Sequence, residues 1–414
     1  MSLTKLERSW ILYDVGNSAF ILMLSTVIPI FFDSIAGDDL SSVDYLAYWG
    51  YSASIATILC ALMGPFLGSI SDRKGMKSKV FVTVLSIGIV GCAILGFMES
   101  WIAFLAILIL TRLMYSLSLI VYDSMLVDVT SVKRMDEISA SGYAWGYIGS
   151  CVPFIACLVL ILNHDGFGLG TSEAMMVSMI VIAVWWAAAS IPLLRNYVQR
   201  HHVDDGDRPF HRLCSTIRES RKDRKVVLFL LAFFFYIDGV YTIIEMATAY
   251  GEAIGLDSQS LLLALLATQV IAFPCSLMFG RISSRVDPSK LVLICITAYM
   301  FITLFAVFMD SSMEFWILAC LVGMFQGGIQ ALSRSYFSKI IPPEKSGEYF
   351  GMMDVFGKGA SFLGTMSVSV VSQITGNMSL GIMSLLIFFL VGLMLFVLST
   401  RVPDMSENTV EVTS

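Results

Sequence analysis

The chain has 414 residues, 57% of them hydrophobic and only 14% charged, with 26 Lys and Arg against 32 Asp and Glu. A soluble globular protein carries about 25% charged residues, so this composition excludes a soluble enzyme and a nucleic-acid-binding protein and points to a polytopic membrane protein. The net charge of −6 carries little meaning by itself, because the charges are sorted between two membrane faces.

The first apolar run, about Trp10–Phe32, contains Asp14 and leads to no small-residue cleavage site, so it reads as a retained span rather than a signal peptide. Two uncharged runs, Ala47–Ile70 and Val80–Met98, flank the basic turn GSISDRKGMKSK at Gly68–Lys79. About 20 apolar residues suffice to cross the hydrocarbon core. Further spans lie at Trp101–Val129, Gly142–Leu162 and Ala174–Leu194. A polar stretch, Arg195–Lys225, holds nine cations and five acids and reads as a solvated tether. His201, His202 and His211 lie on it without an acid or cysteine framework, so no metal site is expected. The second set of spans is Val226–Tyr250, Gln259–Gly280, Leu291–Met309, Phe315–Ile341, Tyr349–Ile374 and Leu380–Thr400. Backbone groups in lipid have no water to bond, so these runs must be helices.

The expected fold is an all-α membrane protein, twelve transmembrane helices in two pseudo-symmetric six-helix bundles. The expected boundaries are 1–194 for the first bundle, 195–225 for a cytoplasmic linker, 226–401 for the second bundle and 402–414 for a polar, disordered tail. GRISSRVDPSK at Gly280–Lys290 is a degenerate copy of the basic turn, offset by 212 residues. The segments Ser124–Gly146 and Ser335–Gly357 match with an offset of 211, including Glu137 and Glu348. Such a period is how parallel six-helix repeats show themselves. Alternate loops hold all the loop cations; those around Gly37, Glu99, Asp165, Glu252, Asp310 and Asn377 hold no Lys or Arg. Lys and Arg stay cytoplasmic in short loops, which places both termini inside, most simply at a cell membrane. The cysteines have no CxxC spacing, and all but Cys214 lie in apolar runs, so they read as packing residues.

Charges within the spans fall on few helices: Asp14 on span 1, Arg112, Asp123 and Asp128 on span 4, Asp238 and Glu245 on span 7, Arg334 and Lys339 on span 10, Asp354 and Lys358 on span 11. Each central charge costs roughly 2.5–3.5 kcal/mol on insertion scales. A chain carrying several is using them against each other or against a polar solute in a shared interior cavity. Arg112 is too deep for easy snorkelling; it either lines that cavity or pairs with Asp123 or Glu245. Asp354 and Lys358 are four apart and can neutralise each other. Gln326 and Gln330 share a face of span 10, and Tyr241 lies beside Asp238 and Glu245 on span 7.

Gly68-x-Ile70-Ser71-Asp72-Arg73-x-Gly75-x-Lys77 resembles the signature loop of the major facilitator superfamily. A second layer is more specific. Trp10-x-x-Tyr13-Asp14-x-x-Asn17-Ser18-Ala19-Phe20, Gly142-Tyr143-Ala144-Trp145-Gly146, Asp238-Gly239, Gly328-x-Gln330-Ala331-Leu332-Ser333-Arg334-Ser335 and Gly357-Lys358 resemble the vacuole effluxer-like branch, relatives of the autophagy-linked amino-acid exporters. The resemblance implies a secondary transporter, with amino-acid export as the activity of fungal relatives. It also implies a cytoplasmic gate built from Gly68, Asp72, Arg73, Gly75, Lys77, Asp128 and Arg334. In it Asp72 caps the start of span 11 at Gly347–Phe350, and Arg73 pairs with Asp128. The second copy has Ser284 in place of Asp72 and Lys339 in place of Asp128, so a one-sided latch is expected.

For the solute, Arg112 or Lys358 is expected to meet a carboxylate, and Asp238 or Glu245 an ammonium. Asp14 with Tyr13 and Asn17, or Asp238, are the candidate proton carriers, since low dielectric disfavours an ionised carboxylate. The candidate solute or coupling-ion set is thus Tyr13, Asp14, Asn17, Arg112, Asp123, Asp238, Tyr241, Glu245, Gln326, Gln330, Asp354 and Lys358. A multidrug or metabolite exporter on the same scaffold, and a non-transporting sensor or assembly protein, stay open as alternatives. An intramembrane enzyme is disfavoured, because there is no HExxH and every histidine lies outside the spans. The partners expected are a small solute, the bilayer and coupled protons, with no cofactor, no nucleic acid and a monomeric state.

Overall fold

The computed structural model of the chain describes residues 3–204, 209–253, 258–309 and 311–403. Residues 404–414 of the expected tail therefore lie outside the described residues. Among the described residues, twelve long helices carry the fold. The first six are α1 (Lys5–Ala36), α2 (Ser42–Ser71), α3 (Met76–Leu95), α4 (Trp101–Ser124), α5 (Met135–Leu162) and α6 (Thr171–Asn196). The second six are α7 (Arg224–Ala253), α8 (Ser258–Ile282), α9 (Pro288–Val307), α10 (Ser312–Ile340), α11 (Ser346–Thr375) and α12 (Leu385–Thr400). Among the described residues, 11 helical stretches are long and apolar enough to cross a membrane; α11, with 30 residues, is the remaining long helix.

Each set of helices closes on an aromatic core. Trp10, Phe20, Phe32, Phe81, Phe104 and Trp186 are buried in the first; Phe229, Tyr236, Tyr299, Phe337, Phe389 and Phe396 in the second. Large apolar side chains such as Leu62, Ile102, Phe301 and Met394 point outward, as lipid requires. The halves meet through α2 against α11 and through α5 against α8 and α10. Gly68 is the tightest point of the first crossing: a Cβ there would collide with the Gly347 carbonyl. This is why a residue without a side chain holds that position.

Three local expectations change. The fourth span is not one helix: α4 ends at Ser124 and a separate turn, Leu126–Val129, follows Met125. Ser124 Oγ donates to the Val121 carbonyl at 2.7 Å, a side-chain bond that competes with the helical ladder. The last span likewise breaks at Ser384, whose Oγ donates to the Gly381 carbonyl, between Met378–Met383 and α12. The largest change is in the linker, which is no solvated tether. It contains the helix Pro209–Ser220, whose Arg212, Leu213, Thr216 and Ser220 are buried. Their spacing of i, i+1, i+4 and i+8 makes one face of a helix, which docks on α2 and α7.

Candidate functional site

A cavity of about 580 Å³ opens between the halves. Asp14, Asn17, Arg112, Asp123, Tyr241, Glu245, Gln326, Gln330, Asp354 and Lys358 all line it, with Arg334. Seven of the ten charges within the spans therefore converge; Asp128, Asp238 and Lys339 do not line the cavity.

Arg334 forms the cavity floor. It reaches from α10 into the first half, donating from Nη1 to Asp123 Oδ1 at 2.8 Å, from Nε to Ser139 Oγ at 2.9 Å and from Nη2 to the Ser139 carbonyl at 3.0 Å. Asp14 Oδ2 lies 3.6 Å away. The guanidinium is sandwiched between Trp10, 4.6 Å from its ring centroid, and Tyr143, at 4.4 Å. A desolvated cation over an aromatic face gains about 2 kcal/mol. Asp14 is held in turn by Tyr122, whose hydroxyl donates at 2.8 Å, and by Asn17 at 3.3 Å.

Higher in the cavity the picture inverts. Arg112 on α4 and Glu245 on α7 have no hydrogen-bond or ion-pair partner among the described residues. The charge each feels is the other's, across the gap between halves. Neither pairs with Asp123, which Arg334 has taken. Gln330 Oε1 accepts from the Tyr147 hydroxyl at 3.0 Å, and Gln326 Nε2 is buried without a partner. Lys358 is already met by Asp354 at 2.7 Å, and its Nζ lies 3.1 Å from Cys60 Sγ of α2. The i, i+4 pair is thus formed, so Lys358, unlike Arg112, already has a carboxylate partner.

Two candidates do not reach the cavity. Tyr13 is fully buried in the aromatic core, its hydroxyl 2.7 Å from Ser118 Oγ. Asp238 is fully buried between α7 and α11, where its Oδ1 accepts from the Gly364 amide at 3.0 Å and from Thr242 at 3.4 Å. Tyr13 is turned away from the cavity side of α1, whereas Asp238 shares a side of α7 with Tyr241 and Glu245 but is covered by α11 at Gly364; depth along the helix reveals neither.

Below the floor, at the basic end, the halves are locked by buried polar contacts. Asp72 caps α11: Oδ1 accepts from the Gly347 amide at 2.8 Å and Oδ2 from the Glu348 amide at 2.9 Å. A helix N-terminus carries about half a positive charge, so the carboxylate meets both the donors and the dipole. Burial pushes the Asp72 carboxyl up to about 6, while Lys77 and the two amides hold it back. Gly75 supplies the turn between α2 and α3 at φ +67°, a conformation costly for other residues.

The cation beside Asp128 is Lys77, not the expected Arg73. Lys77 Nζ is buried 3.4 Å from Asp72 and 3.9 Å from Asp128, and donates to Ser346 Oγ at 2.8 Å. Asp128 also accepts from the Tyr197 hydroxyl and from the Arg200 and His201 amides. Burial and the Asp128 charge push the Tyr197 hydroxyl well above its ordinary range, so it stays a donor. Arg73 instead bridges backbone to backbone with Val203, whose amide donates to the Asp72 carbonyl at 2.8 Å.

The latch is also not one-sided. Lys339, at the position equivalent to Asp128, pairs with Asp136 at the start of α5, and Ser335 donates to the same carboxylate at 2.6 Å. The second half uses the same place with the charges exchanged. The linker adds a third lock. Arg212 is buried with its Nε donating to Glu348 Oε1 at 2.6 Å and its Nη2 to the Ser69 carbonyl.

Sequence reasoning missed Cys60, Asp136, Ser139, His201, Arg212 and Glu348 as members of these clusters. Trp10 and Tyr143 stand out in the sequence only through the motifs that contain them. For Arg212 a signal existed in the helical spacing of Leu213, Thr216 and Ser220, which the polar composition of the linker obscured.

The model of the family described as "Vacuole effluxer Atg22 like" matches residues 4–407. An uncharacterized MFS-type transporter of Bacillus subtilis (strain 168), YxiO, is 40% identical over 417 residues, 98% of this chain and 97% of its own. Autophagy-related protein 22 of Kluyveromyces lactis is 24% identical over 305 residues, 66% of this chain and 59% of its own. That of Saccharomyces cerevisiae is 24% identical over 280 residues, 58% and 52%. The chain thus spans little more than half the length of these fungal relatives. Among solved structures, the transporter FucP in the outward conformation superimposes with a TM-score of 0.73 at 14% identity, covering 96% of this chain and 98% of that one. The human organic anion transporter MFSD10 gives 0.69 at 14% identity, covering 94% and 98%.

Proposed function

The chain belongs to the vacuole effluxer Atg22-like family of major facilitator transporters, and on that premise we propose that it exports a small zwitterionic amino acid, coupled to protons, by alternating access. The observation that carries this reading is the pair Arg112 and Glu245, opposite charges without protein partners facing one cavity. An α-carboxylate on the guanidinium and an α-ammonium on the carboxylate would satisfy both. Arg112 is half-buried and Glu245 exposed to the cavity, so a solute that gives each a charge-assisted contact is favoured over an apolar drug. Gln326, Gln330 and Tyr241 are placed to read the rest of the solute.

The molecule is a membrane transporter and not an enzyme. The basic end is read as cytoplasmic from its cations, and the cell membrane is the setting suggested by the bacterial relative. With the basic end locked and read as cytoplasmic, an outward-facing state is the reading that follows. Asp72, Lys77, Asp128, Gly68 and Arg334 then form the cytoplasmic gate. Asp14 and Asp123, which share Arg334, replace Asp238 as the proton carriers in this reading. The test is counterflow of labelled amino acids into liposomes, with and without a pH gradient. Uptake of no amino acid by wild type, with uptake of an uncharged solute unaffected by Arg112→Gln, would overturn it.

A further inference from the structure

A second cavity, of about 440 Å³, lies on the outer surface where the N-terminus of α1 meets the C-terminus of α6. It shares no lining residue with the solute cavity. Lys5, Arg8 and Leu12 line one wall; Pro192 and Asn196 line the other, with Ser9 between. Asn196 Nδ2 donates to Ser9 Oγ at 2.9 Å, which fixes the two helix ends together. On α1 the spacing of i, i+3 and i+7 puts Lys5, Arg8 and Leu12 on one face. Glu7 is off that face, turned inward to Thr130 and Arg134, so no acid lines the cavity.

The side chains of Lys5 and Arg8 have no hydrogen-bond or ion-pair partner among the described residues. Cations that serve the fold behave differently: Lys77, Arg212, Arg334 and Lys339 are each matched to a carboxylate. The wall also changes character with depth. At 1.5 Å per residue, Leu12 lies one turn below Arg8 and two below Lys5, toward the apolar part of the span. Charge at the level of the headgroups and apolar surface one turn beneath is the profile of a phospholipid.

We propose that this groove binds an anionic phospholipid, with its phosphate on Lys5 and Arg8 and an acyl chain along Leu12 and Pro192. A free phosphate would use the cations but gain nothing from the apolar wall. The site sits at the start of α1, whose Asp14 and Asn17 line the solute cavity, and just before the segment at Tyr197–His201 that holds Asp128. A lipid there bears on both.

The test is native mass spectrometry of the delipidated full chain, titrated with dioleoyl phosphatidylglycerol or dioleoyl phosphatidylcholine. Wild type should retain one phosphatidylglycerol more tightly than any phosphatidylcholine. Lys5→Gln with Arg8→Gln should weaken that molecule on the order of 30-fold, at about 1 kcal/mol per basic residue. Lys5→Arg with Arg8→Lys should keep it, which separates loss of charge from misfolding. Equal retention by wild type and the neutral variant, equal retention of the two lipids, or displacement by inorganic phosphate at lipid-like concentration would each overturn the proposal.

Discussion

Asp123 and Arg334 stand at equivalent places in the two repeats, 211 residues apart, and pair with each other at 2.8 Å. A contact between repeat mates lies near the axis that relates the halves, and it can persist only while they converge at the basic end. Arg334→Gln removes the cation from between Asp123 and Asp14 and leaves two acids facing each other. The expected outcome is a basic end that opens and transport that falls at least about tenfold, since breaking a buried pair costs roughly 3–5 kcal/mol. Spin labels at Lys74 and Glu344 should move apart. Arg334→Lys should be intermediate, keeping charge but losing the fork and the stacking on Trp10 and Tyr143.

Gly68 tests closure without touching a charge. A Cβ there meets the backbone of Gly347, which has no side chain to swing aside. Gly68→Ala should therefore hold the halves apart at the basic end, increasing the Lys74–Glu344 label distance and depressing transport. Gly75→Ala is the control, because nothing lies within 4 Å of its Cβ site. Its cost is confined to the positive φ, about 1–2 kcal/mol, with the label distance unchanged.

The pattern of apolar runs and loop cations carried the architecture, because lipid leaves the backbone no choice but helix. The charge inventory also located the cavity helices. What it could not supply was rotation about each helix axis. Tyr13 and Asp14 are neighbours, yet one is core and the other lines the cavity. Asp238 shares a side of α7 with Tyr241, yet α11 covers it at Gly364 while Tyr241 lines the cavity, so the neighbouring helix decides what rotation does not. Pairing was legible only for Asp354 and Lys358, which are close in sequence. Lys77 took Asp128 in place of Arg73, and nothing in the spacing ranks two cations that close together.

Arg112 and Glu245 should behave as solute ligands rather than as a structural pair. Arg112→Gln and Glu245→Gln are each expected to weaken amino-acid binding by roughly 10- to 1,000-fold, the loss of one charge-assisted contact. Thermal stability in detergent should change little, since neither side chain has a protein partner to lose. Scintillation proximity binding together with a melting curve separates the two. A large drop in melting temperature without loss of binding would refute the assignment.

Arg212 makes the linker part of the lock. Its partner Glu348 is fully buried, so Arg212→Ala strands a carboxylate and should destabilise the closed basic end by about 3–5 kcal/mol. The double variant Arg212→Ala with Glu348→Ala should be milder than the single one, because no charge is then left alone. Label distances across the basic end in the two variants check the order.

The closed state should also respond to pH through Asp72. Its carboxyl stands at about 6 when capped and buried, against an ordinary 3.8 to which it returns when the basic end opens to water. The proton then binds the closed state more tightly, because protonation relieves the desolvation cost while one oxygen still accepts an amide. Closure is accordingly favoured as pH falls through 6, the gain is complete below about 4, and it vanishes above about 7. At pH 5 the closed fraction should rise relative to open by about tenfold over its value at pH 8. Asp72→Asn, which resembles the protonated acid, should fix the closed bias and abolish this dependence. Asp72→Ala removes the acceptor and should open the basic end at every pH. Label distances measured between pH 4.5 and 8 distinguish the three; a wild type whose closure weakens on acidification would show that the Asp72 carboxylate is stabilised, not penalised, in the closed state.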